Sequence, residues 1–151
     1  MNSIDVCISP DLLHLYPLQG KIVVVVDVLR ATSCMTTAFA NGVKSIIAVA
    51  TLEECMAYKN RGFLAAAERD GKTADGFDLG NSPFSYMDSS FKNKTLVVTT
   101  TNGTLAIAKS KEAEEILIGA FLNKTSLIKY LSEQNKDVLV LCSGWRGNFN
   151  M

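Results

Sequence analysis

Ile22-Val-Val-Val-Val-Asp-Val28 runs into Leu29-Arg-Ala-Thr-Ser33, and this junction decides the fold. An unbroken β-branched run does not alternate between core and water. It reads as a strand buried on both faces, the condition of a parallel sheet covered by helices. The polar residues that end it give way to a predicted helix over Ala31–Ala40, with Gly42 near its end. Outward from this unit the alternation repeats. Ser45–Ala50 reads as a second strand, and Thr51-Leu-Glu-Glu54 has capping-box spacing that opens a helix to about Asn60. Phe63–Ala67 is a short third strand ending at Glu68. The polar, Gly- and Asp-rich stretch Arg69–Ser82 follows, a loop of a length that usually carries function. Thr95–Thr101 is a fourth strand leading through Asn102-Gly103 into a helix to about Ser110. Glu115–Gly119 is a fifth, Asn123 can cap a helix over Lys124–Gln134, and Asp137–Cys142 is a sixth strand, ending in Ser143-Gly-Trp-Arg-Gly147. Strands alternating with helices predict an α/β fold. The expected form is a three-layer α/β/α domain over residues 1–151 with a largely parallel central sheet of about six strands.

Composition narrows the function classes. The chain has 151 residues, 48% of them hydrophobic and 20% charged, which describes a globular domain. Fifteen basic residues balance fifteen acidic ones, so neither a nucleic-acid footprint nor a polybasic membrane patch is expected. Cys7, Cys34, Cys55 and Cys142 are widely spaced with no C-x-x-C pair, which argues against a zinc framework. Free thiols in apolar patterns and no signal peptide point to the cytoplasm. His14, the single histidine, reads as a surface loop residue.

Ligands of open α/β sheets bind beyond the carboxyl ends of the strands. The residues predicted there are Asp27, Arg30, Thr32 and Ser33 after the first strand, and Glu68 and Asp70 after the third. Thr99–Asn102 and Thr104 follow the fourth, Asn123 the fifth, and Ser143 and Arg146 the sixth. Carboxylates, guanidinium groups and hydroxyls on one edge suit a metal ion with an anion. Mg²⁺ takes hard oxygen ligands while keeping waters and phosphate oxygens. Helix N-termini near Thr32 and Thr104 offer amide groups, and Arg30 a bidentate fork. The plainer readings are Asp27 as a helix cap and Thr99 and Thr100 as β-formers.

Several familiar motifs fail. Ala66 stands where a P-loop before Gly71-Lys72-Thr73 needs glycine. Three residues separate Cys142 from Arg146, too few for a thiol-phosphatase loop, and Leu29 stands where an aspartyl-phosphate phosphatase of the haloacid dehalogenase type has aspartate.

Asp27-Val-Leu-Arg-Ala-Thr-Ser33, Gly76-Phe-Asp-Leu-Gly-Asn-Ser-Pro83, Thr99-Thr-Thr-Asn-Gly-Thr104 and Phe121-Leu-Asn123 occur in this order. Together they resemble the 2-phosphosulfolactate phosphatases of coenzyme M biosynthesis, from about Ile22 to Phe149. The resemblance implies a Mg²⁺-dependent hydrolase converting 2-phospho-3-sulfolactate, or a similar small phosphorylated sulfo- or carboxylic acid, to sulfolactate and phosphate. It assigns Mg²⁺ to Asp27 and Glu68, and phosphate to Arg30, Thr32 and Ser33. Asn81, Ser82, Thr101, Asn102 and Thr104 fall in the substrate-binding motifs, and Asp27 and Arg30 carry catalysis. Ala67 departs from the family's Gly-Glu-x-x-Gly segment, and Trp145 and Arg146 are unusual in the last loop. Family members continue beyond that loop, so the chain is expected to be the N-terminal part of a longer one, with a homodimer possible. Two alternatives stand beside this reading: an incomplete anion-binding domain, with an exposed apolar patch beside the last strand, and an aspartyl-phosphate mechanism with Asp27 as nucleophile.

Overall fold

The valine run forms β2 (Ile22–Val26) and sits inside a sheet, with β1 (Ile4–Cys7) two places away on one side. The computed structural model describes residues 2–150. Its remaining elements are α1 (Ala31–Ala40), β3 (Ser45–Ala48), α2 (Leu52–Asn60), β4 (Leu64–Arg69), β5 (Lys72–Thr73), β6 (Thr95–Thr99), α3 (Gly103–Lys109), β7 (Glu115–Gly119), α4 (Lys124–Ser132) and β8 (Val138–Cys142).

The α/β class and the six expected strands are present. They are divided between two sheets, one ordered β1-β8-β2-β7 and entirely parallel, the other ordered β3-β6-β4-β5 with only the β4–β5 pair antiparallel. The side-chain alternation of each strand explains the division, because both faces of both sheets find apolar partners. On β2, Val23 and Val25 pack with Ala106 of α3 and with Leu139 and Leu141 of β8. Ile22 and Val24 face the other way, toward Leu127 and Leu131 of α4. In the second sheet Ala66, Leu96 and Val98 meet Cys34, Met35 and Ala38 of α1, whereas Ala65, Ala67 and Val97 meet Cys55 of α2. Ile118 of β7 also packs against the α1 cluster, and Ile107 of α3 touches the cores of both sheets. Thus α1 and α3 form a shared middle layer, with α4 and α2 on the two outer faces.

Local signals account for most boundaries. Thr51 and Glu54 exchange both capping-box hydrogen bonds at the start of α2. Within α1, the hydroxyls of Thr36 and Thr37 donate to the carbonyls of Thr32 and Ser33, which lets a threonine-rich helix sit indoors. The stretch Arg69–Ser82, expected as a loop, is instead well built. Asp70 and Gly71 both have positive φ and turn β4 back into β5, and the Leu79 carbonyl accepts from the Ala67 N–H. On the outer face of the first sheet α4 covers only part of the apolar surface, leaving Ile4, Val6, Phe121 and Ile128 exposed beside Val138 and Val140. His14 lies on a 3₁₀ turn, Pro10–Leu15, with its Nδ1 2.8 Å from the Asp11 carbonyl.

Candidate active site

The carboxyl ends of β2 and β8 from one sheet and of β4 and β6 from the other converge on a single turn, Thr101–Gly103. Glu68, at the end of β4, is buried on that turn. Its Oε2 accepts from the Thr101 N–H at 3.0 Å, and its Oε1 from the Thr101 hydroxyl at 3.1 Å and the Gly71 N–H at 2.5 Å. Asp27, after β2, reaches the same turn from the opposite side. A Cβ at Gly103 would lie 3.0 Å from the Asp27 Oδ2, 2.5 Å from the Ala31 Cβ and 3.3 Å from the Thr100 Oγ1. Glycine here is what allows the first turns of α1 and α3 to close on the Asp27 carboxylate.

The electrostatics follow from that enclosure. Desolvation pushes the Asp27 carboxyl above its ordinary value. The backbone amide of Ala31 pulls it down, the negative charge of Glu68 pushes it up again, and the amide of Gly103 pulls it down, with a net rise. Asp27 and Glu68, from two different sheets, thus abut the same Thr101–Gly103 turn and form an acidic pair.

Arg30 occupies the N-cap position of α1, and its guanidinium is 3.4 Å from the Gly71 carbonyl, at the rim of the pair. The loop after β8 closes the other side. The Arg146 N–H donates to the Asn102 Oδ1 at 2.7 Å, and the Arg146 guanidinium lies 2.6 Å from Asp70. The Asp70 N–H in turn donates to the Thr101 hydroxyl at 3.2 Å.

Of the residues singled out from the sequence, Asp27, Arg30, Glu68, Thr101 and Asn102 are brought together. Thr32, Ser33 and Thr104 are adjacent but buried, and their hydroxyls are spent on the chain. Thr32 accepts from the Asp27 N–H, Ser33 donates to the Val28 carbonyl, and Thr104 both accepts from the Thr100 N–H and donates to the Thr100 carbonyl. These three residues shape the loops that carry Asp27 and the turn. Asn81 and Ser82 are half-buried beyond Gly80, with no side-chain hydrogen bond to the cluster among the described residues. Asp78 is exposed and pairs with Lys59 of α2 at 3.2 Å. Asn123 does not cap α4 through its side chain. Its amide ties the end of β7, accepting from the Ala120 N–H and donating to the Ile118 carbonyl. Residues the sequence reading left without a role are Gly103, Asp70 and Arg146. The Asp-Gly and Arg-Gly steps, each a two-residue turn, were the available signal.

Among the described residues no three His, Cys, Asp or Glu side chains cluster as a metal cage. A cation at the acidic pair would therefore have two protein carboxylates and take its other ligands from water and substrate. Glu68 Oε1 already accepts two hydrogen bonds, but Oε2 accepts one and retains a lone pair. That sparse, all-oxygen set fits Mg²⁺. Burial raises the nearby thiols, Cys34 in α1 to about 12 and Cys142 at the end of β8 above its ordinary value, which makes both poor nucleophiles.

Comparison with known proteins agrees with the family resemblance. A family model described as 2-phosphosulpholactate phosphatase matches residues 7–151. A probable 2-phosphosulfolactate phosphatase of Caldanaerobacter subterraneus subsp. tengcongensis is 44% identical over 137 residues, covering 88% of this chain and 57% of its own length. Similarly named proteins of Thermotoga maritima and Clostridium acetobutylicum are 40% and 42% identical over 148 and 151 residues, each covering 98% of this chain and 63% and 64% of their own lengths. The chain spans about three fifths of the length of these curated relatives.

Proposed function

Because the chain belongs to the 2-phosphosulpholactate phosphatase family, we propose that it hydrolyses the phosphate monoester of a small sulfo- or carboxylic acid. The first candidate is 2-phospho-3-sulfolactate, giving 3-sulfolactate and phosphate, with Mg²⁺ held by Asp27 and Glu68. The observation that carries this reading is the meeting of those two carboxylates on the Thr101–Gly103 turn, with the Arg30 guanidinium at the rim.

Each residue has a physical task. Bound Mg²⁺ would neutralise the acidic pair and polarise a phosphate oxygen. Arg30, on a flexible and weakly engaged side chain, leaves the Gly71 carbonyl to take the phosphate in a bidentate grip. The N-terminal end of the α1 dipole adds a partial positive charge behind it, its Ala31 and Thr32 N–H groups being already bonded to Asp27. Asn102, its Oδ1 fixed by Arg146, directs its amide group toward the ligand. Attack by water is favoured over attack by Asp27, because that carboxylate is already engaged by the Ala31 and Gly103 amides and is assigned to the cation. Four unpaired cysteines support a reducing compartment.

The test is phosphate release from racemic phosphosulfolactate with and without Mg²⁺, comparing the chain with Asp27→Asn. Metal-dependent release that the variant loses supports the assignment. No release, together with no melting-temperature response to Mg²⁺, refutes it.

A further inference from the structure

The loop after β8 ends in a tight turn whose construction is unexpected. Trp145 and Asn148 exchange both backbone hydrogen bonds, at 2.8 and 3.0 Å. Between them Arg146 and Gly147 both have positive φ, +50° and +85°. Two central residues in this region make a turn that favours Asn-Gly or Asp-Gly. An arginine in the first position carries a left-handed backbone cost that glycine and asparagine largely escape. The turn is pinned on three sides, by Ser9, whose hydroxyl donates to the Gly147 carbonyl, by Asn102, and by the Trp145–Asn148 pair. The Arg146 side chain itself is exposed.

Its one partner among the described residues is Asp70, on a turn of the same kind: Asp70 and Gly71 have φ of +53° and +79°. The two turns follow strands of different sheets and meet at this ion pair. Arg30 lies on the Gly71 carbonyl and Arg146 on the Asp70 carboxylate, so two guanidinium groups grip adjacent residues of one turn. Both members of the Arg146–Asp70 pair are more than half exposed, and solvent screening leaves such a pair weak. An anionic ligand can displace it at little cost.

We propose that Arg146 is a specificity-determining residue that binds the second acidic group of the substrate, with Asp70 holding the guanidinium in place until the ligand arrives. This rests on the phosphatase reading, in which Arg30 takes the phosphate and the remaining sulfonate or carboxylate needs its own cation. A local backbone cost retained at a pinned, exposed arginine beside the site is what such a role would require.

Arg146→Asn is the informative variant, because asparagine suits the turn better than arginine and the fold is retained. Isothermal titration with 3-sulfolactate, lactate and inorganic phosphate reads the effect. For Arg146→Asn we expect an unchanged or higher melting temperature. Phosphate affinity should be unchanged, and 3-sulfolactate affinity should fall by about 10- to 100-fold, the range of a charge-assisted hydrogen bond. If 3-sulfolactate loses its advantage over lactate, the sulfonate is the group bound. If both weaken together, it is the carboxylate. Asp70→Asn should leave 3-sulfolactate affinity equal or higher. Equal losses of phosphate and 3-sulfolactate in Arg146→Asn, or no loss of either, would overturn the proposal while leaving the phosphatase reading intact. Failure of the wild-type chain to bind phosphate or 3-sulfolactate would overturn both.

Discussion

Gly103→Ala tests whether the junction of α1 and α3 is what shapes the acidic pair. The new Cβ would stand 2.5 Å from the Ala31 Cβ and 3.0 Å from the Asp27 Oδ2. Carbon atoms in ordinary contact lie about 3.5–4.0 Å apart, so the two helix starts must separate by roughly 1 Å. Overpacking of this kind costs about 1–3 kcal/mol. The helix propensity gained from alanine, at most about 1 kcal/mol in a helix interior, offsets little at a first helical position. At about 2–4 °C per kcal/mol for a chain of this size, the melting temperature should fall by roughly 2–12 °C. Phosphate release should fall further than stability, by about 100-fold, since a displacement near 1 Å spoils the alignment of reacting groups. Gly119→Ala is the control. Its Cβ would lie 2.8 Å from the Val24 Cγ1 and 3.2 Å from the Val26 Cγ2, on the outer face of the first sheet. It should lower the melting temperature without a selective loss of turnover. Wild-type melting and wild-type release in Gly103→Ala, or an equal loss of turnover in Gly119→Ala, would refute the reasoning.

Other outcomes follow from the same geometry. The raised Asp27 carboxyl means that the folded state holds its proton more tightly than the unfolded chain. Stability is therefore lost as pH rises from about 3.9, the unfolded value, through the folded one. Asp27→Asn should accordingly melt higher than wild type at neutral pH without Mg²⁺, with the gap closing toward pH 4, while Mg²⁺ should raise the melting temperature of wild type alone. A lower melting temperature for Asp27→Asn at pH 7 would contradict this. Glu68→Gln puts an amide donor where three protein donors now converge. It should cost about 1–3 kcal/mol and speed hydrogen exchange at Gly71 and Thr101; unchanged exchange there would show that Glu68 is not their anchor. Cys34, pushed up to about 12 by burial, should resist iodoacetamide at pH 8 in the native chain and react once the protein is unfolded in denaturant. Rapid native labelling would place that thiol outside the core described.

The alternation of strands and helices was legible because β2 and β6 carry continuous apolar runs with few competing signals. The division into two sheets was not. Periodicity reports that both faces of β2 are buried, but not whether the covering helix is shared with another sheet. The shared layer depends on Ile107 and Ala106 of α3, small or medium residues with no distinctive pattern. Strand β1 was missed because four residues bounded by Ser3 and Ile8 leave little period to read. In the site, Asp27, Glu68 and the Thr101–Asn102 turn were reachable from strand-end position and resemblance. The fates of Thr32, Ser33 and Thr104 were not, since a hydroxyl's partner is decided by loop geometry. Asp70 and Arg146 lie in turns on different sheets, and their pairing is a tertiary fact.

The order of the chain also bears on how this protein is made. The second sheet is drawn from one uninterrupted stretch, β3 through β6, whereas the first joins β1 and β2 to β7 and β8 across the chain. Pairing Val26 with Gly119 closes a loop of roughly 90 residues, an entropic charge that local contacts must offset first. The expected sequence of assembly is therefore nucleation of the 45–99 segment, then late docking of the flanking strands. Pulsed hydrogen exchange should protect amides of β4 and β6 before those of β2 and β8. Since Asp27 and Glu68 stand on opposite sides of that last docking step, affinity for anions should be the final property a newly synthesised chain acquires.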